Sequence, residues 1–340
     1  MLLFVIIGNA ILEIKGMTFS YWIILFSTAC FANIMGLNIS DGLKSVVAIY
    51  IVVPFLLVPQ ILLAGVIVKF DKLHYKFASH ESVPFVADLM PSRWAYEALA
   101  VNQFVYNKYQ QHFYEVEMRE SNVTYDLQFL VPTLIQQIED AETMYQREDD
   151  RLPDQLRVVR SGFDAIYLTE AFPGQDRFTV DAFTPLLSDS TISWLRAYRS
   201  RLSNNREKLV KEKDRIYMDL KDTYEGNSGI INFKRDFYNE SLADLVLSRV
   251  DLHKIVEIDN KLIRKMEPGY MYPVMKNGRS HFFASVKRVG NLYMPAVVFN
   301  IVAVWIMTLV FYLILQFSLL RRTLDFLGTI RRREVLTNES

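Results

Sequence analysis

The sequence predicts an all-α membrane protein with a large, mainly helical domain outside the bilayer. Two observations predict this: charge is partitioned along the chain, and three long stretches carry none. Met1 to Val68 holds four charged residues, Glu13, Lys15, Asp41 and Lys44, whereas residues 69–288 carry 31 basic and 33 acidic residues. The uncharged runs Gly16 to Ser40, Ser45 to Val68 and Val289 to Leu320 are 25, 24 and 32 residues long, against the ~20 that cross a hydrocarbon core. A soluble core can supply one such run, but hardly three.

The N-terminal MLLFVIIGNAIL is apolar and too short to span. It has no basic flank and no small-residue cleavage site before Glu13, so it does not read as a signal peptide. It reads as the second half of a spanning helix whose first half lies outside this sequence, an expectation that the mass of the native polypeptide tests. The first two full runs form a helical hairpin through GLNISDGLKS, a cluster of turn formers. Pro54 and Pro59 each remove a hydrogen bond from the second helix and are expected to kink it, and Gly65 permits close approach of a neighbour. Such a bent helix either packs well or lines a cavity, and the residues alone leave both open.

The expected organisation is membrane helices in 1–68, a re-entrant or interfacial segment in 69–104, a helical extracytoplasmic domain in 105–288, a last spanning helix in 289–320 and a cytoplasmic tail in 321–340. Orientation follows from Arg321, Arg322, Arg331, Arg332 and Arg333, which favour a cytoplasmic C-terminus. Lys69, Lys72, Lys287 and Arg288 then fall on the outer side, which long translocated domains tolerate. Within 105–288, Leu195, Leu202, Leu209 and Ile216 recur every seven residues, but the companion positions Tyr198, Asn205, Glu212 and Asp219 hold a single apolar residue. This predicts a long amphipathic helix over 192–221 rather than a coiled coil. After a break at Gly226 to Gly229, Leu242, Leu245, Val246, Leu252, Val256 and Leu262 fit a second helix, giving an antiparallel hairpin that EPGYMYP (267–273) ends. Residues 125–146 predict a helix starting at Pro132, and 163–185 show no clear period.

Several chemistries find no residues. The sequence has no phosphate-binding G-x-x-x-x-G-K-[ST] loop, no H-E-x-x-H and no G-x-S-x-G. His74 and His80, with Asp71 and Glu81, lack the face-sharing that a metal requires. The basic residues of 196–215 alternate with Glu207, Glu212 and Asp214, a solvated face rather than a nucleic-acid surface. Cys30 lies within a predicted span and can form no disulfide within one chain. Asn38, Asn122, Asn239 and Asn338 begin Asn-x-Ser/Thr triplets, a pattern common by chance. The expectation is no enzyme, no metal and no cofactor in this chain.

The stretch MPSRWAYEALAVNQF (90–104) follows the Pro-containing run. Pro91 suits a first helical turn, Arg93 and Glu97 stand four apart and can pair, and Trp94 and Tyr96 suit the headgroup belt. The same polarity also suits an ordinary amphipathic helix lying in the interface. The order Gly36-Leu37, a Ser-containing turn, PQILLAGVIVKFDKL and then PSRWAYEAL resembles the C-terminal half of the membrane domain of G-subfamily, or white-type, ABC transporters of the ABC-2 class. The resemblance covers about 1–104 and the final run. It implies the C-terminal part of a six-helix ABC-2 type transmembrane domain: a partial third helix, the fourth over 16–40, the fifth over 45–68 and the sixth over 289–320. Pro91, Arg93, Trp94 and Glu97 would lie on a re-entrant helix. Val58 and Ile61 would face the translocation cavity, and Val66 and Ile67, standing where the family has a leucine pair, would form a plug.

What the resemblance implies is the permease part of an ATP-driven exporter in a cytoplasmic (inner) membrane, working as a homo- or heterodimer. Its partner would be an ABC ATPase domain, fused or separate, carrying ATP and Mg, and no nucleic acid is involved. The outer segment is far longer than the family's usual loop, which favours an alternative: a membrane-anchored envelope interaction protein that uses its helical hairpin without transport.

Overall fold

The computed structural model describes residues 1–43, 45–68, 70, 82–166 and 172–326. Lys44, Lys69, the linker with Lys72, His74 and His80, and the tail with Arg331 to Arg333 and Asn338 lie outside the described residues. The chain divides into two units, Met1–Gln103 with Pro273–Ser340, and Phe104–Tyr272.

In the first unit the helices are α1 (Leu2–Ile11), α2 (Thr18–Gly42), α3 (Val46–Leu62), α4 (Phe85–Asp88), α5 (Pro91–Val105) and α12 (Ala296–Gln316). With 25 and 21 residues, α2 and α12 have the length and hydropathy to cross a membrane. They pack on each other through one face apiece: Ile24, Ser27, Phe31 and Asn38 of α2 are buried, as are Asn300, Val304 and Thr308 of α12. Polar groups bond across this seam, the Asn38 amide donating to the Phe311 carbonyl at 2.9 Å and the Trp305 indole to Ser27 Oγ at 3.0 Å. In an apolar surround such bonds hold helices together where burial gives little drive.

Two expected spans are corrected. The run 45–68 is not one helix: α3 has 17 residues and stops at Leu62, about 25 Å at 1.5 Å per residue. Pro54 and Pro59 stay inside it, whereas Gly65 lies beyond its end at φ +81°, a left-handed geometry that halts helix propagation. The run 289–320 is likewise divided, because its first residues belong to a hairpin of β3 (Val286–Val289) and β4 (Leu292–Pro295), from which α12 starts directly. Gly290, at φ +60°, opens the turn. The protein is mostly helical but not all-α.

The second unit holds α6 (Gln110–Tyr125), α7 (Val131–Gln146), α8 (Leu152–Asp164), α9 (Pro185–Thr223), α10 (Asn227–Phe237), α11 (Glu240–Val246) and a hairpin of β1 (Ile255–Ile258) and β2 (Lys261–Arg264). A π-helical turn, Asp126–Leu130, joins α6 to α7, so that helix does not start at Pro132. Thr184 caps α9 by accepting from the Leu187 amide at 3.2 Å, and Pro185 fits the first turn, where its missing N–H costs nothing. Leu187, Thr191, Leu195, Tyr198, Leu202 and Leu209 then bury one face against α6 and α7. The second arm of the expected hairpin is corrected. It breaks into α10, α11 and the β-hairpin, since Asp259 and Asn260 both take positive φ and form a two-residue turn between strands.

Candidate functional site

Helix α5 positions the site. Pro91 begins it, and Arg93, Trp94, Ala95, Glu97, Ala98, Ala100 and Val101 are all buried. A helix lying in an interface would keep one polar face in solvent, whereas α5 is covered nearly all round. Trp94 is buried against Phe299, with ring centroids 5.8 Å apart, and its indole N–H donates to the Asp88 carbonyl at 2.8 Å. The ring is thus enclosed by the chain rather than set on an outer face. Tyr96 is half-buried against Phe282 and Phe283.

Burying Arg93 and Glu97 demands partners, since an isolated charge in a low-dielectric surround costs several kcal/mol. Glu97, fully buried, meets the Arg93 guanidinium at 3.4 Å one helical turn away. Its Oε1 accepts from Lys287 Nζ at 2.8 Å and its Oε2 from Asn300 Nδ2 at 2.9 Å. Lys287, equally buried, also donates to Ser280 Oγ at 2.7 Å. Asp88 completes the group, 3.7 Å from Arg93 and accepting from Arg279 Nε at 2.9 Å. Arg279 also donates to the Val83 carbonyl at 2.6 Å. One carboxylate thus holds α5, β3 and α12 together, and a second ties in α4 and the segment leading to β3.

Burial and charge pull against each other here. Burial pushes the Lys287 ammonium down to about 8, although Glu97 draws it up. For Glu97 burial acts upward, but Arg93 and Lys287 outweigh it and hold the carboxyl below its ordinary range. Burial raises Asp88, against Arg93 and Arg279. Arg93, Arg279 and Lys287 stand against Asp88 and Glu97, three positive charges against two negative, so the cluster carries one excess positive charge. Among the described residues, Arg93 Nε and Nη1 and Asn300 Oδ1 are buried without hydrogen-bond partners.

Of the residues singled out by sequence, the structure brings Arg93, Trp94 and Glu97 into this cluster, with Pro91 opening their helix. Val58 and Ile61 are exposed on α3, which buries none of its residues. Val66 and Ile67 are exposed beyond its end, so they do not belong to that helix. Gly65 packs beneath the Phe282 and Phe70 rings. Asp88, Arg279, Ser280, Lys287 and Asn300 were missed. Asn300 could have been found, as a polar residue inside an uncharged run is a functional candidate by default. Among the described residues no group of His, Cys, Asp and Glu could hold a metal.

Residues 1–104 match the family model described as ABC-2 type transporter. No curated protein and no solved structure matches the chain. The matched segment contains α2, α3 and the α5 half of the cluster, and it ends where the chain enters the second unit. The similarity to ABC-2 type transporters thus covers residues 1–104, just under a third of the chain, and places that segment among membrane-embedded sequences.

Proposed function

We propose that the chain is the permease part of an ATP-driven exporter of the white-type class, supplying the translocation path while an ABC ATPase domain, fused or on a partner chain, hydrolyses ATP with Mg. The observation that carries this is the ABC-2 match over 1–104 together with α5, a short helix that enters the fold buried and charge-locked to α12. A helix held this way can transmit movement between spanning helices, which alternating access requires. No residue of this chain is assigned a catalytic role. The permease pairs with a second membrane domain, lies in the cytoplasmic membrane with its C-terminus inside, and exposes the second unit outside.

Val66 and Ile67 serve this reading as the constriction, now placed in the non-helical stretch after α3, with Val58 and Ile61 on the path before it. Changing Val66 and Ile67 together to Ala tests it in proteoliposomes that hold the native complex. The expected result is ATP turnover that no longer responds to transport conditions. Wild-type coupling would remove the plug assignment. Absence of an ATPase from the native complex would favour the envelope-anchor alternative.

A further inference from the structure

We propose that Lys287 is a positioning residue for transport: its ammonium, seated between Glu97 and Ser280, fixes α5 to the β4 end of α12. The inference rests on the permease reading above. Lys287 sits on β3, whose partner β4 runs into α12 without a linker, and the Ala296 amide donates back to the Ser285 carbonyl at 2.9 Å. Any displacement of that end of α12 is therefore passed through two residue pairs to the lysine. There it meets α5, whose Ser92 hydroxyl in turn donates to the Gln60 carbonyl of α3 at 2.8 Å. Lys287 thus lies on the route that joins α12, α5 and α3.

The groups that face it come from every element packed around it. Helix α5 presents Glu97, Arg93 and the Trp94 ring, whose centroid is 5.9 Å from Nζ. Asp88 at the end of α4 acts on it from farther away, and Arg279 pairs with Asp88. Ser280 accepts from it and is followed by His281, whose carbonyl accepts from the Ser280 hydroxyl at 2.9 Å. Helix α12 contributes Asn300 through the shared carboxylate. The lysine holds Glu97 both by charge and by a hydrogen bond, and Ser280 takes a second of its donors. An apolar side chain of similar length supplies neither, whereas an arginine keeps the charge and the donors.

The test measures ATP turnover of the native complex in proteoliposomes for wild type, Lys287→Met, Lys287→Arg, Glu97→Lys and the exchange Glu97→Lys with Lys287→Glu. Absence of turnover in the wild type would refute the permease reading itself, and the inference with it. Given turnover, Lys287→Met is expected to lower it roughly tenfold or more, and Lys287→Arg, which keeps the charge and the donors, to retain most of it. The exchange is expected to recover part of the loss. Wild-type turnover in Lys287→Met would overturn the proposal. Should that variant fail to accumulate, turnover in the exchange no higher than in Glu97→Lys alone overturns it equally.

Discussion

Replacing Glu97 by Gln keeps its shape and removes its charge, which isolates the electrostatic part of the cluster. The hydrogen bonds can largely be repaired. Gln Oε1 can still accept from Lys287, and Asn300, whose Oδ1 has no partner, can turn its amide to accept from Gln Nε2. What cannot be repaired is charge. Lys287 at 2.8 Å and Arg93 at 3.4 Å lose their shared counter-ion, leaving Asp88 alone against three cations. Breaking a buried pair from one side costs about 3–5 kcal/mol. Shedding the Lys287 proton limits the lysine's share of the loss, since a group that titrates at about 8 is neutralised at pH 7 for about 1.4 kcal/mol, at 1.36 kcal/mol per pH unit. The assay is reversible unfolding of the detergent-solubilised chain, comparing Glu97→Gln, Lys287→Met and the double variant. The double variant removes both charges and is expected to be less destabilised than the sum of the singles by about 1–3 kcal/mol, a coupling typical of residues in one network. A Glu97→Gln cost below about 1 kcal/mol, or strict additivity of the two changes, would refute the reading of Glu97 as the keystone of the cluster.

Two further outcomes follow from the same side chains and their neighbours. Lys287 titrates at about 8 in the folded chain, against ~10.4 when unfolded. The unfolded chain therefore binds more protons in this window, and stability rises by about 3 kcal/mol between the two values. That contribution is complete above the unfolded value and lost as pH falls through the folded one; pH-dependent unfolding should show the rise in wild type and a flat response in Lys287→Met. Gly65→Ala should destabilise the first unit by about 1–3 kcal/mol, because φ is +81° there and the new Cβ would stand 2.7 Å from the Phe282 ring and 2.8 Å from Phe70. Thermal unfolding measures it, and a neutral result would mean the α3 terminus has another backbone geometry.

How much of this was legible depended on the range of the interaction involved. Helices α2 and α9 follow from local pattern, an unbroken apolar run in one and a seven-residue leucine spacing in the other. The ends of α2 move by two residues each, whereas α9 begins at Pro185, seven residues before the expected start, because Thr184 and Pro185 supply a cap that the leucine spacing does not show. Where hydropathy and backbone geometry disagree, hydropathy misleads. The residues after Leu62 are as apolar as those before it, and only the positive φ of Gly65 marks the end of α3. Val256 and Leu262 also fit a helical period, but Asp259-Asn260 between them is turn chemistry of the kind that closes a hairpin, and the turn prevailed. Gly290-Asn291 sits in the same way inside the last apolar run.

The site divides along the same line. Arg93 and Glu97 are neighbours on one helix turn, so their pairing could be read directly from spacing. Lys287 stands 190 positions from Glu97 in sequence, and the whole second unit intervenes between them. Nothing local marks such a residue, which looks like one more basic side chain flanking a span. Burial is what distinguishes it. A lysine with no exposed surface has given up its hydration, and the fold must supply a carboxylate in return. Glu97 is that carboxylate. It is already committed to Arg93 and sits on a short helix of the matched segment that is enclosed on nearly all sides. A helix enclosed in this way cannot move without disturbing the charges inside it. For that reason any displacement of α5 against α12 must stretch or break the contacts of Glu97 to Lys287 and Asn300.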